Sequence, residues 1–400
     1  MDKENKNPNV PNLRFSDYND SLKNICLSEL LSFQNGINAD SDKYGKGIKY
    51  ISVGDIINND FITYDCIKGK VDISQKELNN YLVENGDILF QRSSETFEDI
   101  GNANVYLDEQ PCTFGGFVIR GKKIGEYDPK YLNYLLKSPN ARKQVIRLGA
   151  GAQHYNINQE SLNKIILSFP SAKEQEKISQ FLTKIEEQIQ LQNKIIEDYK
   201  KLKKQIIDSI FSTTDTSWAK CSFKDIFKER KELHINDGTI VHATLSKEGI
   251  YPKTDRYDRD FLVKDEDKKY KVSYLNDICY NPANLKFGVI TRNDYGKCIV
   301  SPIYVTYFVN PSYNPKFIEL FVTRAAFLKE IRRYEQGTVY ERMAVSSDDF
   351  LTYETRLPNV EIQNDIVESI DILDKKITQE QKYLELLAKQ KDYLLSNMFI

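Results

Sequence analysis

The chain has 400 residues, 40% hydrophobic and 12% aromatic, with 56 basic and 58 acidic side chains. At roughly 100–200 residues per domain it exceeds one ordinary domain, and its aromatic content can build sizeable cores. A formal net charge of −2 excludes a binder that holds nucleic acid by bulk positive charge alone, while leaving local basic patches open.

Residues 1–20 read as an N-terminal tail. The opening MDKENKNPNVPNLRF is polar and lacks the apolar core of a signal peptide. No run approaches the ~18 apolar residues that a membrane span needs, so the chain is expected in the cytoplasm, with no membrane partner. The cysteines (Cys26, Cys66, Cys112, Cys221, Cys279, Cys298) form no C-x-x-C pair, and only three histidines accompany them (His154, His234, His242). They are expected to be free thiols, and no metal site is expected.

Residues 21–170 alternate short β-rich runs, such as DILF and FVIR, with turn-rich loops. One helix is expected after Tyr127-Asp-Pro-Lys, with Pro at a position that suits a helix start. This is an α+β domain. Residues 171–212 then run without Pro or Gly. Ile178, Leu182, Ile185, Ile189, Ile196, Tyr199, Ile206 and Ile210 recur in alternating steps of three and four, the stripe of a coiled coil. Gln192 and Lys203 interrupt it. A linker at 213–217 leads to a second α+β domain, 218–357, with its own Tyr313-Asn-Pro-Lys. The final segment, 358–400, reads as another long helix.

That helix is a copy of the first. Shifted by the distance from Pro170 to Pro358, the stripe reappears without a gap at Ile366, Ile370, Leu373, Ile377, Leu384, Leu387, Leu394 and Met398. The polar breaks recur at Glu380 and Lys391. Nine positions are identical, among them Gln175/Gln363, Lys194/Lys382, Glu197/Glu385 and Phe211/Phe399. The repeat continues upstream more weakly. SLKNICLSEL at Ser21 matches SWAKCSFKDI at Ser217, GDILF at Gly86 matches NDICY at Asn276, and CTFGGFVI at Cys112 matches CIVSPIYV at Cys298. An apolar stripe on a lone helix would face water, so each helix wants a partner. The connections predict that the two helices run antiparallel. The expected fold is thus two similar α+β domains separated by a long antiparallel two-helix coiled coil, an internal pseudo-two-fold repeat.

No catalytic constellation emerges. LGAGAQHYN at Leu148 has a GxG without the pattern of a dinucleotide site. NPAN at Asn281 lacks the second Pro and the aromatic of the amino-methyltransferase motif. What the loops do offer is groups suited to base edges and phosphates. The first half has Gln91, Arg92, Ser93 and Ser94, then Gln153, His154, Tyr155 and Asn156. The second half has Asn284 and Lys286, then Thr338, Tyr340 and Arg342. Arg and Lys can donate two bonds to guanine, and Asn and Gln can pair doubly with adenine. Solvated loop residues are the plain alternative for each.

The segment GAGAQHYNINQESLNKIILSFPSAKEQEKISQFLTKIEEQI resembles the end of a target recognition domain and the central helical region of type I restriction–modification specificity subunits. The string Pro170, Glu174, Gln175, Ile178 carries the resemblance most specifically. KYISVGDI near Lys49 and GDILFQRSS are also similar to that family. The second copy keeps Pro358 and Gln363 but has Ile362 where Glu is expected. The resemblance implies a non-catalytic DNA-reading subunit that binds no cofactor itself. Each domain would read one half of a bipartite, gapped site on double-stranded DNA, with the helix pair as the ruler between them. Two modification subunits, which bind S-adenosylmethionine and methylate adenine, would dock there, and restriction subunits would add cleavage using ATP and Mg. The competing reading is a cytosolic coiled-coil scaffold that binds only proteins. It explains the helices but not the duplicated domains with divergent loops.

Overall fold

Four strands of the first half pair in the order Leu31–Asn35, Val118–Lys123, Ile88–Gln91 and Ala103–Val105, all antiparallel. Four strands of the second half pair in the same order: Phe227–Glu229, Val305–Val309, Ile278–Tyr280 and Ile290–Arg292. The computed structural model describes residues 10–149, 155–212, 217–253, 268–336 and 344–400. The chain divides into two units, Met1–Lys194 with Gln381–Ile400, and Ile195–Glu380.

In each unit the strand after the Gly86 or Asn276 turn lies inside the sheet and is buried on both faces. Side chains alternate across a strand, so successive residues enter different cores. Ile88 and Phe90 join the core beneath helix Pro129–Lys137, and Leu89 joins a second core on the other face. Ile278 and Tyr280 repeat the first role and Cys279 the second. The matched turn positions Gly86 and Asn276 have φ of 90° and 71°. That left-handed backbone suits glycine, and asparagine is among the few others that adopt it readily. The next residue is a buried carboxylate in both units. Asp87 accepts from the Glu84 amide at 2.8 Å, and Asp277 accepts from the Tyr274 amide at 2.8 Å. Their guanidinium partners come from different strands: Arg120 within Val118–Lys123, and Arg230 just past Phe227–Glu229. The common framework is kept while its neutralising partners have diverged.

Entry and exit of each domain are clasped alike. Lys23–Cys26 pairs antiparallel with Ile166–Phe169, and Ala219–Ser222 with Glu354–Leu357. Two helices, not one, follow each Tyr-x-Pro-Lys: Pro129–Lys137 then Pro139–Arg147, and Pro315–Val322 then Ala325–Ile331. In the first unit Ser138 ends one helix and caps the next, with Pro139 opening it, a break the sequence carries openly.

The long helices are Ala172–Ser212 and Val360–Asn397, 41 and 38 residues, or about 60 Å each at 1.5 Å per residue. Within the first unit, Ile178, Leu182 and Ile185 share a core with Leu394, Leu395, Met398 and Phe399, so the start of one helix lies beside the end of the other. Within the second unit, Phe211 packs on the core that holds Val367, alongside Ile366. The pair is antiparallel in both. The stripe faces inward: Ile196, Ile370, Ile377 and Leu387 are buried, and Ile189, Tyr199, Ile206, Ile210, Leu373 and Leu384 are half-buried.

The polar breaks meet partners. Lys391 Nζ lies 2.7 Å from Glu186 Oε1, and Lys203 Nζ lies 2.5 Å from Asp374 Oδ1. These are the same ion pair twice, once in each unit, in the repeat register that relates Pro170 to Pro358. Glu380 pairs with Lys376 at 2.6 Å.

Lys137 joins the first cluster, donating to the Asp60 carbonyl at 3.0 Å. Burial pushes its amine down to about 8; Lys391 adds to this, while Glu186 and Asp60 oppose it. Below about pH 8 the folded state therefore carries the full penalty of a buried charge, and the penalty vanishes as pH rises to the unfolded value near 10.5. Lys137→Met should raise the melting temperature at pH 7, with an advantage over wild type that shrinks between pH 8 and 10.5. Paired thermal melts across that range check this.

Both helices are tied to their domains by one glutamine. Gln175 Oε1 accepts from the Asp128 amide at 3.1 Å and its Nε2 donates to the Pro170 carbonyl at 3.1 Å. Gln363 repeats both bonds with Asn314 and Pro358, at 2.9 and 2.8 Å. Each amide is buried, so Gln→Ala at either position leaves two backbone groups unsatisfied, a loss of about 1–3 kcal/mol. Chemical denaturation followed separately in each unit by hydrogen exchange checks that the loss is local.

Glu174 is not matched in the second copy, and the structure supplies the reason. Its carboxylate is 2% exposed and holds Arg14 of the N-terminal segment, Nε to Oε1 and Nη2 to Oε2, both at 2.7 Å. The described part of the segment read as a tail, from Val10 on, is packed here: Leu13 N–H donates to the Asn397 carbonyl at 2.9 Å, and Phe15 meets Phe181 edge-on at 5.8 Å. The equivalent position, Ile362, is apolar and 43% exposed, so it can make no such ion pair.

Candidate nucleic-acid interface

The first-half candidates come from two segments about sixty residues apart, and the structure joins them. Ser93–Ser94 and Tyr155–Asn156 form a two-stranded antiparallel ribbon, Ser94 opposite Tyr155 and Ser93 opposite Asn156. Arg92 fixes its base. The Arg92 amide donates to the Phe117 carbonyl at 2.9 Å, and its carbonyl accepts from the Ile157 amide at 3.0 Å. Ile157 is buried in the main core, so the returning strand is anchored directly after Asn156. Ser93 Oγ donates to Asn156 Oδ1 at 2.5 Å, and the Arg92 guanidinium donates to the Gly116 carbonyl at 3.3 Å.

Gln91 differs from its neighbours. It is 4% exposed, and its Nε2 donates to the Ser93 carbonyl at 2.9 Å. It supports the ribbon from beneath and does not face solvent. Gln153 and His154 lie outside the described residues.

The second half repeats the anchor with different side chains. The Val345 amide donates to the Pro282 carbonyl at 3.2 Å, the counterpart of Ile157 on Arg92. Asn281 Oδ1 accepts from the Ala283 amide at 3.1 Å, a turn that opens the segment. A single 3-10 turn, Leu285–Phe287, follows Asn284 and closes on Gly288 at φ 83°. Asn284 and Lys286 are half-buried, and Lys286 Nζ lies 5.4 Å from the centre of the Phe287 ring. Gln336 and Ala344 exchange backbone hydrogen bonds at 2.9 and 3.0 Å, bracketing the segment that carries Thr338, Tyr340 and Arg342. Those three residues lie outside the described residues.

Some residues at this surface were not singled out from the sequence. Phe97 packs on Tyr155 with ring centres 5.2 Å apart, and Phe117, beside Arg92, is 69% exposed. Arg142 Nη2 donates to the Glu98 and Ile100 carbonyls, both at 2.8 Å, and holds the loop that follows the ribbon. An aromatic inside a polar loop is a legible signal. A helix arginine that reaches a loop forty residues earlier has none.

Among the described residues no group of three or more His, Cys, Asp or Glu could hold a metal ion, and no helix among them is long and apolar enough to cross a membrane. Each unit has a four-stranded sheet and carries a short polar ribbon or turn with hydroxyl, amide and cationic groups. Such a surface can donate to and accept from base edges and phosphates.

Residues 19–201 match the family model described as the type I restriction modification DNA specificity domain. The chain is 24% identical over 409 residues to the putative type I restriction enzyme MjaX specificity subunit of Methanocaldococcus jannaschii, covering 92% of this chain and 91% of the relative. It is 24% identical over 159 residues to the EcoKI specificity subunit of Escherichia coli K12, covering 38% of this chain and only 33% of that longer relative. Among solved structures, the S subunit of a type I system from M. genitalium aligns over 98% of this chain and 99% of its own, with a TM-score of 0.52 and 14% identity. A chain from a study of complex assembly and conformational transition in a type I R-M system aligns over 94% and 96%, with a TM-score of 0.59 and 12% identity. At such identities the structural likenesses speak for the fold alone. Residues 19–201 thus carry the mark of a type I restriction modification DNA specificity domain, and the chain as a whole is similar to type I restriction–modification specificity subunits.

Proposed function

We propose that this chain is the DNA-reading subunit of a type I complex, with each α+β domain reading one half of a bipartite, gapped site. The observation that carries the reading is duplication of the framework with divergence at the reading surface. Strand order, the clasp, the buried Asp, the anchoring glutamine and the Ile157/Val345 hydrogen bond recur in both halves. The side chains on the ribbon and turn do not. Two frames of one design with unlike contact surfaces suit two unlike half-sites, as two readers on one duplex require.

In this reading Ser93, Ser94, Tyr155 and Asn156 read the first half-site, together with Gln153 and His154, which precede Tyr155 in the sequence. Asn284, Lys286, Thr338, Tyr340 and Arg342 face the second. The long helices set the gap and dock two modification subunits. Those partners carry S-adenosylmethionine and methylate adenine, and restriction subunits bring ATP- and Mg-dependent cleavage. This chain itself is non-catalytic and works in the cytoplasm.

The test is single-molecule sequencing of adenine methylation in the host, with and without the gene. Loss of methylation at one gapped motif supports the reading, and an unchanged methylome overturns it. A gel shift of gapped duplexes by the chain with its modification subunit separates it from the scaffold alternative, which predicts no shift.

A further inference from the structure

The second helix after each Tyr-x-Pro-Lys leads directly into a candidate reading segment, and it carries a charge pattern that the function above does not use. Pro139–Arg147 and Ala325–Ile331 align unambiguously. Ser138 and Arg324 are their N-caps, and buried Ala141 and Val145 match buried Phe327 and Ile331. In this register most of the surface has changed: Arg142 aligns with Leu328, Gln144 with Glu330, and Ile146 with Arg332. Two exposed positions have kept their charge. Lys143 matches Lys329, and Arg147 matches Arg333.

Lys143 and Arg147 are four residues apart on one side of a helix; Lys329 lies in the last turn of Ala325–Ile331, and Arg333 in the 3-10 turn Arg332–Tyr334 that follows it. All four side chains are exposed, and among the described residues no ion pair engages any of them. Only the Arg333 Nε is committed, to the Glu330 carbonyl at 3.2 Å. The negative end of the helix dipole mildly favours cations here, but it does not require lysine to match lysine and arginine to match arginine. A cation kept for solubility has no reason to hold its place while its neighbours drift.

We propose that Lys143 with Arg147, and Lys329 with Arg333, are phosphate clamps, one beside each reading segment. This rests on the DNA-reading function proposed above. The clamps grip the backbone of double-stranded DNA and fix the register in which the adjacent ribbon or turn meets base edges. They carry no sequence information themselves, which is why they stay constant while the readers vary.

The test uses the full chain co-purified with its modification subunits and a fluorescein-labelled 40-base-pair duplex of random sequence. Affinity is measured by anisotropy between 50 and 200 mM KCl for wild type, Lys143→Ala/Arg147→Ala, Lys329→Ala/Arg333→Ala, and the four-fold variant. A control, Lys68→Ala/Lys76→Ala, removes two exposed lysines from elsewhere on the first domain. Each lost phosphate contact lowers the slope of log affinity against log salt by about 0.9. Each clamp variant should therefore lose about 1.8 from the slope and the four-fold variant about 3.6, with the control unchanged. The methylated motif in cells should keep its sequence while methylation becomes incomplete. Clamp variants with the wild-type slope, or a control that loses as much, overturn the proposal while leaving the DNA-reading function intact. Wild-type complex that fails to bind the duplex at all overturns both.

Discussion

Seven residues inserted after Lys194, matched by seven after Lys382, should lengthen the gap of the methylated site and leave its two half-site sequences unchanged. The insertion points are equivalent positions of the repeat, 188 residues apart and identical in residue. Seven residues preserve the phase of an apolar stripe that recurs every three and four. They add about 10 Å to each helix, which is about three base pairs of duplex rise. Each added base pair also turns the far half-site by about 35°, and duplex twisting must absorb the difference. The expected gap increase is therefore one to three base pairs, with weaker binding. Both helices must be lengthened, because Lys391 must still reach Glu186 and Lys203 must still reach Asp374. An insertion in one helix alone shifts one stripe against the other and should abolish methylation. Sequencing of adenine methylation in cells carrying each variant reads all three outcomes. A gap that stays fixed in the doubly inserted protein removes the ruler role. Changed half-site sequences would move base reading onto the helices.

Much of this architecture is legible in the residue order because it rests on periodicity and repetition. The stripe from Ile178 to Ile210 predicts its own burial, and the gapless match from Pro170/Pro358 onward identifies its partner. The antiparallel direction follows from the connections. Lys203 and Lys391 look like flaws in the stripe and become a repeated ion pair only when their partners, Asp374 and Glu186, are placed. Those partners are themselves repeat equivalents, so the pairing was present in the register all along, though no single-helix pattern exposes it. The sheets are less legible. Strands of three to six residues with loops of unequal length carry no period long enough to fix their order, and only the Gly86/Asn276 turn marks the inner strand in both halves. Of the candidate readers, the ribbon of Ser93–Ser94 with Tyr155–Asn156 depends on a pairing between distant segments, which spacing cannot reveal. Gln91 has the right chemistry for a base reader, but its position at the end of a buried strand turns its amide inward.

Arg14→Ala should destabilise the first unit by about 3–5 kcal/mol and leave the second untouched, although residues 1–20 have the composition of a dispensable tail. The Glu174 carboxylate is 2% exposed and Arg14 is 11% exposed, and the two share a bidentate contact with both distances at 2.7 Å. Removing the guanidinium leaves a buried anion with no cation, whose cost far exceeds the net worth of the pair. Replacing both members by methionine removes the anion too and should recover most of the loss. Glu174→Ala alone should be milder, because Arg14 keeps its bond to the Asp20 carbonyl at 2.8 Å and can turn toward water. The second unit provides the internal control. Its helix ends at Ser212, five residues before Ser217 of the next domain in the sequence, so covalent connection does there what a strap must do in the first unit. In that unit the helix end at Asn397 is met by Leu13 from the other terminus. Arg14 then ties this strap to the start of the opposite helix. Hydrogen exchange distinguishes the outcomes: in Arg14→Ala, protection should fall over 172–190 and 390–397 and persist over 200–212 and 362–375. Uniform loss in both units would mean that the strap acts on the whole chain, and no loss would mean that Glu174 finds another cation.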